Sequence, residues 1–289
     1  AMIDALNAIV RFAPNQLPDE IALIEAVRRR LPDLPQVVCF DTAFHASLPD
    51  VARTLANPSQ YAAQGVRRYG FHGLSYTYLI DELRRRTGNT GGADANGRVV
   101  LAHLGNGSSL AAVQNGRSVD TSMGFTPIGG IVMGTRSGDL DPGVVTFIAR
   151  VSGLDPDRVE HAMSHRSGLL GISGRTADMR ELIAHEGDDE SCRLAVAIYC
   201  YEIKKRIGAY AAALGGLDHL VFSGGIGEHA PVVRARIGAG LEFLGVEIDD
   251  HHNAANAPLI STATARAAVH VIPSDEEVVI ARAVCQLLD

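Results

Sequence analysis

Apolar residues recur at helical spacing through the first thirty positions of the chain. In "AMIDALNAIVRFAP", Ile3, Leu6 and Ile9 follow the period of an amphipathic helix. We expect that helix to end near Pro14. The next segment, "LPDEIALIEAVRRRLPDLP", predicts a second helix, because proline is favoured in the first turn of a helix and also common just beyond its end. The continuous apolar run "QVVCFDTAFH" then predicts a buried strand that delivers Asp41 at its end.

The middle of the chain has the pattern of short strands. "RVVLAHLG", "SLAAVQ" and "RSVDTS" predict three consecutive strands, and the Asn115-Gly116 pair between the second and third predicts a tight hairpin. Helices are expected after each Asp-Pro pair at 141–142 and 155–156, and a long one over about 189–214. "DHLVFSGGIGEHAP" predicts a strand, a glycine turn and a helix, and the tail "VHVIPSDEEVVIARAVCQLL" repeats that order. The pattern is that of an α/β protein, with one flexible loop expected at 88–97.

Charge and cysteine content exclude several classes of partner. The formal net charge is −7, which argues against general binding to nucleic acid or to an anionic membrane. Cys39, Cys192, Cys200 and Cys285 show no C-x-x-C spacing, so we interpret them as four buried thiols in a reducing compartment rather than as a zinc site or disulfide framework. No N-terminal signal pattern or membrane-length apolar run occurs, and we expect a cytoplasmic protein.

Three strand-to-turn segments have the composition of anion-binding loops. "HLGNGSS" (103–109) and "DTSMGFTP" (120–127) supply accessible backbone N–H groups and hydroxyls, although the first would also suit an ordinary hairpin. "SGGIGEHA" (223–230) lies between a predicted strand and a helix. A glycine turn at this place either binds a nucleotide at the helix N-terminus or is only a tight connection between the two elements. The chain has neither a P-loop nor a Rossmann fingerprint, so these two nucleotide-binding classes are excluded.

Two cationic or donor side chains and an acidic cluster complete the candidate chemistry. His72 in "RRYGFHG" and Arg136 in "MGTRSGDLDPG" would each be structural donors alone, but together they could bind one anion. "SDEEVV" (274–279) is either a hard-cation site or a solvated helix start. No Ser-His-Asp or Cys-His pattern is visible. Anion-binding turns with Arg, His and carboxylates favour direct phosphoryl transfer.

The motifs, in their order, resemble one known family. "VCFDTAFH", "RYGFHG", "HLGNGSS", "DTSMGFTPIGGIVMGTRSGDLDPG", "SGLLGISG", "DMR", "SGGIGE" and "DEEVVIAR" are similar to the motifs of the acetate kinases, the acetokinase family of the sugar kinase, Hsc70 and actin superfamily. The resemblance implies an actin-like, ribonuclease H-like ATPase fold. It also implies reversible phosphoryl transfer between ATP and acetate, giving ADP and acetyl phosphate, with Mg²⁺ or Mn²⁺ as the cation.

The same resemblance assigns roles to individual residues. Asp41 corresponds to the essential carboxylate, His72 and Arg136 to the two stabilisers of the transition state, and Glu276 to a magnesium ligand. Because acetate is already ionised at neutral pH, no strong base is required, whereas the charge on the transferring phosphoryl oxygens requires donors.

Further residues are implied for the two substrates. Phe71 and Pro127 correspond to walls of a small apolar pocket for acetate. Propionate is longer than acetate by one methylene only, and an apolar pocket discriminates weakly against one methylene. Propionate kinase is therefore the close alternative. The nucleotide is expected to contact three segments of the chain. These are His103, Leu104, Gly105, Asn106 and Gly107, then Asp178, Met179 and Arg180, then Gly225, Ile226, Gly227, Glu228 and His229.

The chain departs from the family pattern at several positions. "FHGTSH" reads "FHGLSY", so Leu74 and Tyr76 are substituted, His229 replaces an Asn, and Gln16 stands where a His is expected. The opening strand with its N-x-G-S-S-S phosphate loop, and a later substrate-contacting Arg, do not occur ahead of Ala1.

The resemblance implies two similar domains, with a homodimer formed through the second. We assign residues 44–273 to the second, nucleotide-binding domain, and residues 1–43 with 274–289 to a remnant of the first. We therefore expect a protein that begins at Ala1 to be nearly inactive, since losing even one positioned donor costs about 10²–10³ in rate. Two other hypotheses stay open, a non-catalytic nucleotide-binding or dimerisation remnant and a phosphohydrolase on the same fold.

Overall fold

The computed structural model describes residues 2–12, 17–88 and 97–288. At the start of the chain, α1 (Met2–Ile9) continues into a 3-10 turn (Val10–Phe12) and packs against α2 (Leu17–Arg30). Both predicted N-terminal helices are therefore confirmed. The position of Gln16 and most of the loop expected at 88–97 lie outside the described residues.

The segment expected to form a strand before Asp41 does not form one. Residues 35–40 have no regular structure, and Val37, Val38 and Cys39 are only partly buried. The five-stranded sheet described below does not include this segment, and an extended segment without a neighbouring strand cannot pair its backbone groups in a ladder. A 3-10 turn (Ala43–His45) follows, then two short helices, α3 (Asp50–Arg53) and α4 (Ser59–Ala62).

A five-stranded sheet forms the centre of the molecule. The predicted meander is confirmed as β1 (Arg98–Leu104), β2 (Ser108–Gln114) and β3 (Arg117–Thr121), all antiparallel. Asn115 and Gly116 have φ of 52° and 73°, as the tight hairpin requires. β4 (His219–Ser223) pairs parallel with β1, and β5 (Ala268–Val271) pairs parallel with β4, so the order is β3-β2-β1-β4-β5.

Helices cover both faces of this sheet. On one face lies α5 (Gly73–Thr87), with α14 (Glu276–Leu288) packed against it. On the other lies the predicted long helix, α10 (Glu190–Leu214), which contacts β1 and β2. The side chain of Asp189 accepts from the N–H groups of Ser191 and Cys192, which explains where α10 begins.

Of the remaining helices, α6 (Pro142–Ser152), α7 (Pro156–His165) and α12 (Pro231–Gly238) lie where the sequence predicts helices, whereas residues 224–229, expected to form a glycine turn, are themselves helical. Asp141 and Asp155 accept backbone hydrogen bonds at the starts of α6 and α7. The others are α8 (Gly168–Ser173), α9 (Met179–His185), α11 (Gly224–His229) and α13 (Asp250–Ala254), with a 3-10 turn at Glu242–Leu244.

The prediction of four buried thiols is confirmed for two cysteines, holds only partly for Cys39 and is wrong for Cys285. Cys192 and Cys200 are buried in the core, Cys39 is partly buried, and Cys285 is exposed on α14. Across the described ranges, no helix is long and apolar enough to cross a bilayer.

Candidate active site

The carboxylate of Asp41 is held by the turn that starts α5. The backbone N–H of His72 donates to Asp41 Oδ2 at 2.6 Å, and that of Leu74 donates to Oδ1 at 3.3 Å. Gly73 N–H donates to the Asp41 carbonyl at 2.8 Å, and a Cβ at Gly73 would lie 2.1 Å from that oxygen. The motif therefore requires glycine here, because the two backbones approach too closely for any side chain.

His72 has a backbone conformation that is unusual for a side-chain-bearing residue. Its φ is 60° at the N-terminal boundary of α5. The ring is partly buried, with Nδ1 2.9 Å from Ser109 Oγ and its centroid 4.4 Å from that of His103. Burial, followed by the nearby His103 and Arg136, lowers the pKa of His72 to about 3. His72 is therefore neutral at pH 7 and acts as a hydrogen-bonding group, not as a cation.

Arg136 lies on a tight loop that two other segments fix in place. Met133 N–H donates to the Arg136 carbonyl at 3.1 Å, and Leu169 N–H at the start of α8 donates to the Met133 carbonyl at 2.9 Å. Gly168 has φ of 62°, and a Cβ there would lie 2.2 Å from the Met133 carbonyl oxygen. The "SGLLG" motif thus supports the Arg136 loop. Burial lowers the pKa of the Arg136 guanidinium, which nevertheless remains the cation of this cluster.

His72 and Arg136 meet at the loop between β1 and β2. A Cβ added at Gly107 would lie 3.3 Å from Arg136 Nη1 and 3.5 Å from His72 Nε2. The loop is also tied to the Arg136 segment, since Gly134 N–H donates to the Asn106 carbonyl at 3.0 Å. The structure therefore brings a neutral imidazole and a guanidinium to one point beside accessible backbone, an arrangement suited to an oxyanion.

A second hydrogen-bonded chain holds His103. Its Nδ1 lies 2.8 Å from Ser75 Oγ, which lies 2.9 Å from Ser274 Oγ in the segment before α14. Burial lowers the pKa of His103 to about 4, although the negative charge of Asp41 acts in the opposite direction. His103 is therefore a second neutral imidazole beside Asp41.

Glu276 is close enough to Asp41 for the two carboxylates to interact. Burial, followed by the charge of Asp41, raises the pKa of Glu276. Among the described residues, no three His, Cys, Asp or Glu side chains converge as a complete metal site. Mg²⁺ in phosphoryl-transfer sites usually takes one or two carboxylates together with substrate phosphates. The donor set of Asp41 and Glu276 fits such an ion, which would relieve their mutual repulsion.

An apolar cavity of about 650 Å³ adjoins these groups. Phe71 and Pro127 line it, together with Met123 and Phe125 from the "DTSMGFTP" segment. Asp41, His72 and Arg136 lie on its wall. A small apolar acid would therefore reach the polar cluster with its methyl group against these side chains.

Most of the predicted nucleotide residues surround a separate cavity of about 710 Å³. The predicted residues on its wall are Gly105, Asn106, Asp178, Met179, Arg180, Gly225, Ile226 and His229. Its volume lies in the range of small-molecule and cofactor sites, roughly 300–1,000 Å³.

Five of the predicted nucleotide residues do not line that cavity. His103 and Gly107 lie at the polar cluster described above, and the Leu104 side chain is fully buried in the core. Glu228 Oε1 instead accepts from Gly224 N–H at 2.8 Å and Ser274 N–H at 3.2 Å. The Gly227 carbonyl accepts from the buried Arg234 at 2.8 Å. Leu104, Gly227 and Glu228 therefore shape the loops by internal contacts.

Several supporting residues were missed from the sequence. Ser75, Ser109 and Ser274 position the two histidines, and His45 Nε2 lies 3.1 Å from the Phe71 carbonyl. Ser109 lies in the "HLGNGSS" motif, but the neighbouring sequence does not distinguish it from Ser108. The alternation of β2 was the available signal, because it places neighbouring side chains on opposite faces of the sheet.

The comparisons with known proteins agree with the geometry. A sequence model described as the acetokinase family matches residues 1–282. An acetate kinase of Rhodopseudomonas palustris (strain ATCC BAA-98 / CGA009) is 46% identical over 290 residues, covering 100% of this chain and 72% of the relative. An acetate kinase of Coprothermobacter proteolyticus is 44% identical over 285 residues, covering 97% of this chain and 70% of the relative.

Solved structures give the same similarity in three dimensions. The Porphyromonas gingivalis acetate kinase superposes with a TM-score of 0.92 at 38% identity, covering 99% of this chain and 72% of that one. A propionate kinase from Francisella tularensis superposes with a TM-score of 0.91 at 36% identity, covering 97% of this chain and 72% of that one. The predicted α/β fold class is confirmed.

Proposed function

The chain belongs to the acetokinase family, and on that premise we propose that it transfers the γ-phosphoryl group of ATP to acetate, reversibly, forming ADP and acetyl phosphate. The observation that carries the proposal is the convergence of His72 Nε2 and Arg136 Nη1 on Gly107, between an apolar cavity and a nucleotide-sized one. Acetate would lie in the cavity walled by Phe71 and Pro127, and the adenosine in the other.

The residues present account for the chemistry of an in-line transfer. The attacking carboxylate of acetate is already ionised, so the site requires no base, and none of the neutral histidines has to accept a proton. As the phosphoryl group moves, charge spreads over its equatorial oxygens, where Arg136 supplies a cation and His72 an N–H donor. A bound Mg²⁺ or Mn²⁺ would be held by Asp41 and Glu276 and would neutralise charge on the nucleotide phosphates.

The apolar wall favours a short aliphatic acid over water as the acceptor. Phe71, Met123, Phe125 and Pro127 line the cavity that adjoins the polar cluster, and their apolar side chains suit the methyl group of such an acid. Propionate is the second candidate, favoured by the similarity to the Francisella tularensis propionate kinase. In an apolar pocket, a difference of one methylene between two substrates changes the free energy that sets kcat/KM by only about 1–3 kcal/mol.

The test is an assay of the native gene product with ATP and each acid. We expect acyl phosphate, trapped as its hydroxamate, to form with acetate and propionate, with the higher kcat/KM for acetate. A higher kcat/KM for propionate would establish propionate kinase. ATP hydrolysis that does not respond to either acid would establish the phosphohydrolase and contradict the proposal.

We also propose that the protein is a cytoplasmic homodimer that associates through α6. Val144, Phe147 and Val151 lie at helical spacing on this helix, and all three are exposed. Such an apolar stripe supports contact with a second copy. We expect Phe147→Glu to lower the mass measured by light scattering from that of a dimer to that of a monomer. Phe243→Glu, at an exposed phenylalanine in the 3-10 turn 242–244, is the control and should leave the dimer intact.

A further inference from the structure

The imidazole of His72 lies at one end of a buried hydrogen-bond chain that the reaction described above does not use. Ser109 Oγ lies 2.9 Å from His72 Nδ1, and the Tyr76 hydroxyl contacts Ser109 Oγ from the other side. Ser109 and Tyr76 have no exposed surface. Tyr76 stands where the pattern of the resembling family has a histidine, so this hydrogen-bond chain is not part of that pattern.

The order of donors in this chain follows from counting protons. His72 Nδ1, Ser109 Oγ and Tyr76 Oη make two hydrogen bonds among the three groups. Among the described residues, the hydroxyl groups of Ser109 and Tyr76 have no other hydrogen-bond partner. If Nδ1 carried the imidazole proton, three protons would share two bonds and one buried hydroxyl proton would have no acceptor. With the imidazole proton on Nε2, Tyr76 donates to Ser109, Ser109 donates to Nδ1, and every proton is used.

We propose that Tyr76 and Ser109 are positioning residues that fix the Nε2–H tautomer of His72. In this tautomer the proton is on Nε2, the His72 atom that lies nearest to a Cβ added at Gly107, and Arg136 Nη1 lies at the same place. The neutral ring then presents a hydrogen-bond donor, rather than a lone pair, to the oxygens of a phosphoryl group. The proposal rests on the proposed function for its consequence in catalysis, but the tautomer itself is a property of the resting protein.

The tautomer is measured directly from the ring nitrogens of His72 in ¹⁵N-histidine-labelled protein, with His72→Gln used to assign the signals. We expect a protonated Nε2 and an unprotonated Nδ1 at pH 7. Ser109→Ala should move both signals toward the average of the two tautomers and lower kcat about 10-fold, with little change in the KM for ATP. Tyr76→Phe should lower kcat about 3-fold, because Ser109 keeps its bond to His72 but loses its own donor.

A double variant separates positioning from stability. Ser109→Ala leaves the Tyr76 hydroxyl buried without a partner, so adding Tyr76→Phe should raise the unfolding temperature while leaving the His72 signals and kcat as in the single variant. Tyr210→Phe is the matched control. Its hydroxyl is also buried, and it has no hydrogen-bond partner among the described residues, so we expect no change at His72.

A protonated Nδ1 in the wild-type protein would overturn the proposal. So would unchanged His72 signals and kcat in Ser109→Ala. Failure of the wild-type protein to form acetyl phosphate while Nε2 is protonated would instead count against the proposed function and would leave the proposed positioning role of Tyr76 and Ser109 unaffected.

Discussion

At the scale of single residues, the site depends on two places where backbone or side-chain atoms approach a glycine. A Cβ at Gly73 would meet the Asp41 carbonyl at 2.1 Å, and one at Gly107 would lie between Arg136 and His72. Gly73 sets the positions of Asp41 and His72 together, and Gly107 leaves Arg136 Nη1 and His72 Nε2 accessible. Neither Gly73 nor Gly107 has a positive φ, so the site depends on the missing side chain and not on the backbone conformation of glycine.

We expect Gly73→Ala to lower kcat by about 100-fold, because a displacement of about 1 Å in reacting groups can cost that factor. The added methyl group cannot be accommodated by a rotamer change, since it meets backbone. Steady-state kinetics of acetyl phosphate formation measure the effect. Gly208→Ala is the control, because Gly208 lies within α10 with nothing within 4 Å of an added Cβ, and its kcat should be unchanged. Wild-type kcat in Gly73→Ala would contradict the close-approach argument.

The residues proposed to contact substrate have clearer sequence signals than the residues that position them. Asp41, His72 and Arg136 carry distinctive chemistry and were identified from motifs, and their roles stay predictions until variants are assayed. Ser75, Ser109 and Tyr76 act through contacts with residues 28 to 37 positions away. A serine has no sequence signature for such a distant partner, because the pairing is set by the packing of α5 on the sheet.

At the scale of elements, local capping signals decide where the helices begin. Asp141, Asp155 and Asp189 each accept backbone N–H groups at a helix start, and each of these starts was predicted from the sequence. The segment 35–40 shows the opposite case. Its apolar run predicted a strand, but strand formation requires a neighbouring strand, which no local pattern supplies.

Removing the cap of the long helix should destabilise the protein without affecting the site. We expect Asp189→Ala to lower the free energy of unfolding by about 0.5–2 kcal/mol, as for other N-cap aspartates. Chemical denaturation measures the change. Asp188→Ala is the matched control, because its side chain is 78% exposed and makes only a 3.8 Å contact with His185, and its effect should stay within about 0.5 kcal/mol. Equal effects of the two variants would contradict the capping role.

At the scale of the whole molecule, buried neutral histidines make the fold sensitive to acid. Burial lowers the pKa of both His45 and His270 to about 4, and both side chains are almost completely buried. Below pH 6.5 the unfolded chain binds protons that the folded protein excludes. The stabilisation is therefore fully present above pH 6.5 and is lost as the pH falls toward 4.

We expect the free energy of unfolding to fall between pH 6.5 and 4 by about 1.4 kcal/mol per pH unit for each such histidine. Denaturant titrations at several pH values measure the slope. His72 and His103, whose pKa values are also lowered by burial, contribute in the same way. His45→Asn removes one of these four groups and should reduce the slope by one such increment. A free energy of unfolding that stays constant from pH 7 to 5 would contradict the assignment of these imidazoles as buried and neutral.

The α/β fold followed from the alternation of strand and helix patterns, and the described sheet and helices confirm it. The order of the strands in the sheet did not follow, because parallel pairing of β1 with β4 joins segments more than a hundred residues apart. The division into residues 44–273 and a remnant of a first domain stays a prediction. The structure does show the contact between α14 and α5, which places Glu276 and Ser274 beside the segment that carries His72.

The central claim is that Arg136 and His72 converge to stabilise a phosphoryl group passing to acetate. The most direct test compares acetate-dependent formation of acetyl phosphate by Arg136→Ala with that by Arg158→Ala, a control at a guanidinium that is 73% exposed on α7. We predict that kcat falls about 10²–10³-fold in Arg136→Ala and is unchanged in Arg158→Ala. Wild-type kcat in Arg136→Ala would contradict the account.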